Sequence, residues 1–149
     1  MDRQKIIDTF KRVYGIEKIG IGNFKNLYKD FGLPSQGWEE ISSGVMEGNF
    51  DHLYFNGRNY YSFVIDPFYT SEEIIIFETK NRKTYSELVY MTHLFFRIIV
   101  LKEEEAEKTC WECGRKFGFF DILGDEETSP KKNFERAISH WEDSHCGCH

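Results

Sequence analysis

Apolar residues in the first third of the chain recur three and four positions apart, which is the spacing of one face of an α-helix. The first stripe contains Ile6, Ile7, Phe10, Val13 and Tyr14, and the second contains Phe24, Leu27, Tyr28 and Phe31. Gly15 and Gly32 follow the two stripes, where a left-handed residue often ends a helix, and Asn23 can cap the second. We therefore predict two helices, a glycine-rich link over residues 15–22, and a third, short helix over residues 38–45.

The pattern changes to aromatic and β-branched residues from His52 onward, and such residues favour strands. Asn56-Gly57 separates the runs 53–55 and 60–65, and this dipeptide is typical of a two-residue hairpin turn. A further run over residues 74–77 has the same composition. We predict that these three runs form a small antiparallel sheet.

The next segment begins with a helix-capping signal. Thr84 and Glu87 have the Ser/Thr-x-x-Glu spacing of a capping box, in which each side chain accepts a hydrogen bond from the other residue's backbone N–H. We predict a long helix from there through Leu101 into residues 103–105, although the run 95–101 is also strand-like in composition. Together these elements predict an α+β fold, with N-terminal helices packed on a small antiparallel sheet and a long helix.

Composition and charge narrow the class of protein. The chain has 149 residues, 40% hydrophobic residues and a net charge of −6, so we expect a folded globular protein. The first eight residues offer no signal-peptide pattern. The apolar run 88–101 is too short for a bilayer span and contains His93 and Arg97. We therefore expect a cytoplasmic protein with no membrane partner.

Candidate chemistry is concentrated at the C-terminus, because all four cysteines and three of the five histidines lie in the last forty residues. Cys110, Cys113 and Gly114 form a Cys-x-x-Cys-Gly knuckle, a turn that supplies two thiolates to a zinc ion. A helix should begin at Pro130, with Ser129 as its cap. Its apolar stripe contains Phe134, Ala137, Ile138 and Trp141, and His140 lies beside that stripe. The segment therefore predicts a structural zinc site.

This segment resembles a ββα zinc finger of the two-Cys, two-His type. The residues that carry the resemblance are Cys110, Cys113, Gly114, Arg115, Phe117, Ile138 or Ala137, His140 and His145. The resemblance implies a zinc finger over residues 109–149 that follows an α+β domain over residues 1–108. The zinc ligands that it implies are Cys110, Cys113, His140 and His145. We expect the finger to dock through the aromatic residues Trp111, Phe117, Phe119, Phe120 and Trp141.

The second pair of ligands is less well defined than the knuckle. Between Cys113 and His140 lie 26 residues, which gives the finger a long insertion relative to the family. His145 is the predicted fourth ligand, and Cys146, Cys148 and His149 stay open as alternatives. Two other uses of the cysteines are a redox pair and free or oxidised thiols. A thioredoxin-type pair belongs to a βαβ unit, which the sequence does not predict, so zinc is favoured.

The predicted function is protein–protein recognition by a small zinc-binding adaptor, regulator or inhibitor that is not an enzyme. The sequence has no nucleophile elbow, phosphate loop or pair of catalytic carboxylates. The runner-up is nucleic-acid binding through the basic N-terminal helices, because residues 1–35 carry a net charge of +3 whereas residues 110–149 carry −3. An enzyme with an unrecognised site is the third possibility.

Overall fold

A computed structural model of the chain describes residues 3–41, 52–65, 74–100, 107–123 and 129–148. These residues form helices and an antiparallel sheet, which confirms the predicted α+β class. The elements in chain order are α1 (Arg3–Tyr14), β1 (Ile16–Gly22), α2 (Phe24–Phe31), β2 (Glu39–Glu40), β3 (His52–Phe55), β4 (Tyr60–Ile65), β5 (Ile74–Thr79), α3 (Tyr85–Val100), β6 (Glu107–Thr109), β7 (Lys116–Gly118), α4 (Phe119–Leu123) and α5 (Pro130–Glu142).

The chain divides into two compact units, one made of residues 1–14 and 96–149 and the other of residues 15–95. The predicted domain boundary between residues 108 and 109 lies inside the first unit, and separate folding of residues 1–108 and 109–149 stays a prediction. None of the described helices has the length and apolar character needed to cross a bilayer.

The unit of residues 15–95 is built on a five-stranded sheet with the order β1-β5-β4-β3-β2, in which every pairing is antiparallel. The hairpin of β3 and β4 and the third predicted strand, β5, are confirmed. The connection in the hairpin has four residues, because Phe55 pairs with Tyr60 and the Asn56 side chain accepts hydrogen bonds from the backbone N–H groups of Arg58 and Asn59. The two-residue turn predicted from Asn56-Gly57 is therefore wrong.

The glycine-rich link predicted over residues 15–22 is also wrong, because residues 16–22 form strand β1 and pair with β5. The packing of α2 explains why this strand has a glycine at position 20. A Cβ atom at this position would lie 2.5 Å from Cε2 of Phe31 and 3.0 Å from Cδ2 of Leu27, both in α2. A glycine within a strand often marks such a close approach. The missing side chain thus lets α2 pack directly on the strand.

Helix α2 begins and ends where the sequence predicts. Asn23 accepts a hydrogen bond from the backbone N–H of Lys25, and Gly32 adopts the left-handed conformation at the end. The helix covers one face of the sheet, and this core contains Leu27, Tyr28, Tyr61, Phe63, Ile74 and Ile76, with Phe31, Leu33, Trp38 and Tyr54 packed against it. The short helix predicted from Trp38 is wrong over its described part, since residues 39–40 form β2. Residues 42–45 lie outside the described residues.

Helix α3 confirms the helical interpretation of the apolar run that follows the sheet. Thr84 Oγ1 accepts a hydrogen bond from the Glu87 N–H at 3.2 Å, and Glu87 Oε1 accepts one from the Thr84 N–H at 3.4 Å. The buried positions follow a helical period and are Leu88, Met91, Leu94, Phe95 and Ile98. Phe95 meets Phe77 of β5 edge-on, with ring centroids 6.0 Å apart. The predicted extension through residues 101–105 lies outside the described residues.

In the other unit, helix α5 packs on α1. Phe134 is fully buried and contacts the rings of Phe10 and Tyr14 from α1 and of Phe119 from α4. The Tyr14 hydroxyl also donates a hydrogen bond of 2.8 Å to Glu135. Strands β6 and β7 pair as a short antiparallel hairpin, and Phe117 of β7 is buried. The C-terminal segment is therefore a hairpin followed by helices, with α1 packed against its last helix.

The capping box gives a direct test of the α3 boundary. Replacing Thr84 with alanine removes the oxygen that accepts the Glu87 N–H, and loss of such a cap costs about 1 kcal/mol. We expect Thr84→Ala to lower the free energy of unfolding of the full chain by that amount in urea titrations. Thr84→Ser keeps the hydroxyl and should unfold like the wild type. Equal stabilities for the alanine and serine variants would contradict the cap.

Candidate metal centre

The knuckle is the link of residues 110–115 between β6 and β7. The Cys110 N–H donates to the Arg115 carbonyl at 2.7 Å, and the Gly114 N–H donates to the Cys110 carbonyl at 2.9 Å. Gly114 has a φ of 74°, a left-handed conformation that a glycine adopts without steric cost. These bonds close a tight turn that brings the side chains of Cys110 and Cys113 together, as the sequence predicts for a metal knuckle.

A second turn lies in the tail, residues 143–148, which follows α5. The His145 N–H donates to the His140 carbonyl at 2.8 Å, and Ser144 has a φ of 56°. The carbonyl of Ser144 in turn accepts the Trp111 N–H at 3.0 Å, which ties the tail to the knuckle. Because the chain reverses here, Cys146 and Cys148 lie against the knuckle.

The sulfur atoms of all four cysteines lie close together. We call this group the four-cysteine cluster, and its members are Cys110, Cys113, Cys146 and Cys148. All four Sγ atoms lie within 4.8 Å of one another. The Sγ atoms of Cys110 and Cys148 are 3.7 Å apart, and those of Cys113 and Cys146 are 3.5 Å apart. All four cysteines are free thiols. A tetrahedron with metal–sulfur bonds of about 2.3 Å has edges of about 3.8 Å, so the cluster fits one tetrahedral metal ion.

Backbone N–H groups favour the thiolate form of Cys110. The N–H of Cys113 points to the sulfur of Cys110 and is the main reason why the pKa of that thiol falls to about 5, and the N–H of Cys146 adds to the effect although burial opposes it. Hydrogen bonding to Cys146 and Cys113, together with burial, raises the pKa of Cys148. Four thiolates this close repel one another strongly, and a divalent cation would remove that repulsion.

The two predicted histidine ligands lie outside this cluster. Nε2 of His145 is 3.2 Å from a carboxylate oxygen of Glu112, and its Nδ1 accepts the Gly147 N–H at 2.9 Å. Nδ1 of His140 is buried and has no hydrogen-bond partner among the described residues, and its ring lies 5.6 Å from that of His145. His149 is outside the described residues. The site is thus a cluster of four cysteines rather than the two-Cys, two-His set that the resemblance implies.

The reason for this difference lies in the end of α5. Within a helix, the spacing from His140 determines where each later side chain points. The helix ends at Glu142, so this spacing does not apply to residues 143–148. Beyond that point the left-handed conformations of Ser144 and Gly147 set the directions. One sequence signal for the observed set was present, because Cys146-Gly147-Cys148 is a second short cysteine pair with a glycine in its turn.

The aromatic residues expected to dock the finger divide into two groups. Phe117, Phe119 and Trp141 are buried and Phe120 is half-buried, in agreement with the expectation. Trp111 is 66% exposed, so its predicted packing role is wrong. Its ring contacts that of His145 at the edge of the cluster, with ring centroids 5.6 Å apart.

Comparison of the chain with models of protein families, with curated proteins and with solved structures gives no match. The chemistry of the site therefore rests on the chain's own residues.

The ligand set can be tested by substitution. We expect the purified chain to carry about one metal ion, and Cys146→Ser or Cys148→Ser to lose it because the tetrahedron then lacks a thiolate. His145→Ala should keep the metal. Metal analysis gives the stoichiometry, and X-ray absorption should show sulfur neighbours at about 2.3 Å without nitrogen at about 2.0 Å. If His145→Ala loses the metal and Cys146→Ser retains it, the ligands are instead the two-Cys, two-His set.

Proposed function

We propose that the protein is a small cytoplasmic zinc-binding protein that recognises another protein, and that its zinc ion is structural. Three features support the proposal: the chemistry and spacing of the four sulfurs, the exposure of Trp111 on the knuckle, and the charges beside Trp111. The exposure of Trp111 is the main observation in support of protein recognition.

The donor set supports zinc as the metal. Four thiolates in a tetrahedron are typical of structural zinc or of iron–sulfur centres. Sulfur separations of 3.5 and 3.7 Å match the edges of a tetrahedron around a single ion, which favours zinc over a multinuclear cluster. Zinc held by four protein ligands has no open position for water or substrate, whereas catalytic zinc sites keep one. We therefore expect a structural ion and no metal-dependent catalysis.

Trp111 supports recognition of a protein. Trp111 is the most exposed of the large hydrophobic residues that the structure describes, and tryptophan is enriched at the energetic centres of protein interfaces. The backbone of Trp111 is fixed by the bond of its N–H to Ser144, and its ring lies against His145. An anchor held in place before binding loses little conformational entropy when it enters a pocket. The knuckle thus presents a pre-organised apolar anchor.

The charges around the anchor suggest the chemistry of the partner. Glu112 has its carboxylate next to His145, with a separation of 3.2 Å. Arg115 and Lys116 follow in the knuckle and in β7, and both are exposed. A partner that accepts Trp111 in an apolar pocket and carries carboxylates on the rim would complement this surface.

The partner can be sought with matched baits. We expect wild-type protein to capture a partner from lysate of cells that make it, and Trp111→Ala to reduce capture at least tenfold, because hot-spot tryptophans contribute roughly 2 kcal/mol or more. Phe55→Ala is the control, since Phe55 is 50% exposed in the other unit. Quantitative mass spectrometry of the three eluates measures the effect. Equal capture by Trp111→Ala and wild type would contradict the role of the knuckle.

The same experiment separates protein recognition from nucleic-acid binding. A partner held through nucleic acid should disappear after nuclease treatment of the lysate, whereas a direct protein partner should remain. Titration with random-sequence duplex and single-stranded oligonucleotides at about 150 mM salt adds a direct measurement. Tight, salt-sensitive binding that is lost on charge reversal of Lys11, Arg12 and Lys25 would favour the runner-up, against the repulsion expected from a net charge of −6.

Removal of the metal should loosen only part of the chain. The paired strands β6 and β7 have three residues each, and such short hairpins are unstable alone, whereas zinc contributes on the order of 10 kcal/mol to small modules. We expect a strong chelator to abolish hydrogen-exchange protection in residues 107–118 and 143–148 and to leave it in residues 74–79 of the sheet. Loss of protection in the sheet as well would show that the metal stabilises the whole chain.

A further inference from the structure

The cysteine pairs are arranged for oxidation across the cluster. Two of the sulfur–sulfur contacts, Cys110 with Cys148 at 3.7 Å and Cys113 with Cys146 at 3.5 Å, join the knuckle to the tail, within a cluster whose four Sγ atoms all lie within 4.8 Å of one another. A disulfide has a sulfur–sulfur bond of about 2.05 Å, so each pair needs to close by about 1.5 Å.

The four thiols differ in their access to solvent. Cys110 and Cys146 are buried and Cys148 is half-buried, whereas Cys113 is an exposed residue. Susceptibility to oxidation follows thiolate character together with exposure. Metal-bound cysteine is deprotonated, so Cys113 combines both properties. Cys146 lies next to it and can act as the resolving thiol.

We infer that the four-cysteine cluster is a redox switch, in which a peroxide converts the four thiolates into the disulfides Cys113–Cys146 and Cys110–Cys148 and thereby releases the metal. The inference rests on the proposed function for the presence of zinc. It adds a regulation of that site, since an exposed thiolate is unnecessary for a purely structural ion.

The chemistry balances without a further reactant. The Cys113 thiolate attacks one peroxide oxygen, the O–O bond breaks, and the products are a sulfenic acid and hydroxide. The Cys146 thiolate then attacks the sulfenic sulfur, forms the S–S bond and expels a second hydroxide. A second peroxide oxidises Cys110 and Cys148 in the same way. Each peroxide gains two electrons, each pair of thiolates loses two as it forms a disulfide, and the metal ion keeps its charge but loses its four ligands.

This pairing keeps the knuckle and the tail joined after the metal has left. Pairing within each motif, Cys110 with Cys113 and Cys146 with Cys148, would instead leave the two segments without a covalent link. The tail and the knuckle therefore stay close together in the cross-linked form, which can be reduced and loaded with metal again. Cross pairing thus keeps the four cysteines together for reloading with metal after reduction.

The test uses the full chain, reduced and loaded with zinc, and hydrogen peroxide as the oxidant. We expect zinc content to fall from about one ion per chain to near zero as about two peroxide molecules per chain are consumed. A chromogenic chelator measures the released metal, and peptide mapping by mass spectrometry identifies the disulfides. Dithiothreitol followed by zinc should restore the starting content.

Several outcomes would overturn the inference: retention of zinc at this dose, disulfides within each motif, or sulfinic and sulfonic acids in place of disulfides. Brief alkylation of the zinc-loaded chain adds a kinetic check, because Cys113 should react first. The proposed function fails separately, through absence of zinc before peroxide is added or equal partner capture by Trp111→Ala. The disulfide map is recorded whatever the initial metal content, so the cross pairing is tested in either case.

Discussion

The convergence of two cysteine pairs at one point is the constraint on which the C-terminal segment depends. The paired sulfurs come from residues 38 and 33 positions apart in the chain, and the knuckle itself is carried by a hairpin with three residues in each strand. Closing so long a loop costs conformational entropy that such a hairpin cannot offset. Four free thiols at these separations also have no large attraction of their own. A bound ion would supply the missing free energy, since it makes four strong bonds where the two segments meet.

Apolar packing limits what a bound metal would have to stabilise. Phe134 is fully buried between rings from α1 and α4, and Trp141 is buried in the last turn, so helix α5 is held along its length by apolar contacts. A bound metal would then need to fix only the orientation of the tail and the knuckle. Trp111 has a backbone hydrogen bond to the tail although its side chain is exposed at the surface. Its backbone is held by the tail, and the tail is held by the cluster.

The same arrangement would connect the proposed recognition with the proposed redox chemistry. Trp111 and the exposed Cys113 are two residues apart in the knuckle, so the proposed anchor and the proposed point of oxidation share one short turn. Oxidation would replace four metal–sulfur bonds with two covalent bonds of different length. The knuckle would keep its attachment to the tail but not the tetrahedral geometry that sets its position relative to the tail. A partner that binds Trp111 would therefore sense the state of the cysteines.

Local signals in the sequence determined much of this protein. The periodic stripes and the caps at Asn23 and Thr84 predicted α1, α2 and α3, because these interactions lie within a few residues of each other. The strands of the middle segment and the Cys-x-x-Cys-Gly knuckle were also predicted, because their signals lie within short stretches of sequence. Tertiary structure decided the rest. Residues 16–22 form a strand because they pair with β5, and Gly20 leaves room for Phe31 to pack over that strand. The third and fourth sulfurs are positioned by turns beyond the helix end. Trp111 stays exposed although the tail contacts its backbone and, through His145, its ring. Each of these outcomes depends on contacts between residues distant in the chain, which spacing along the sequence does not encode.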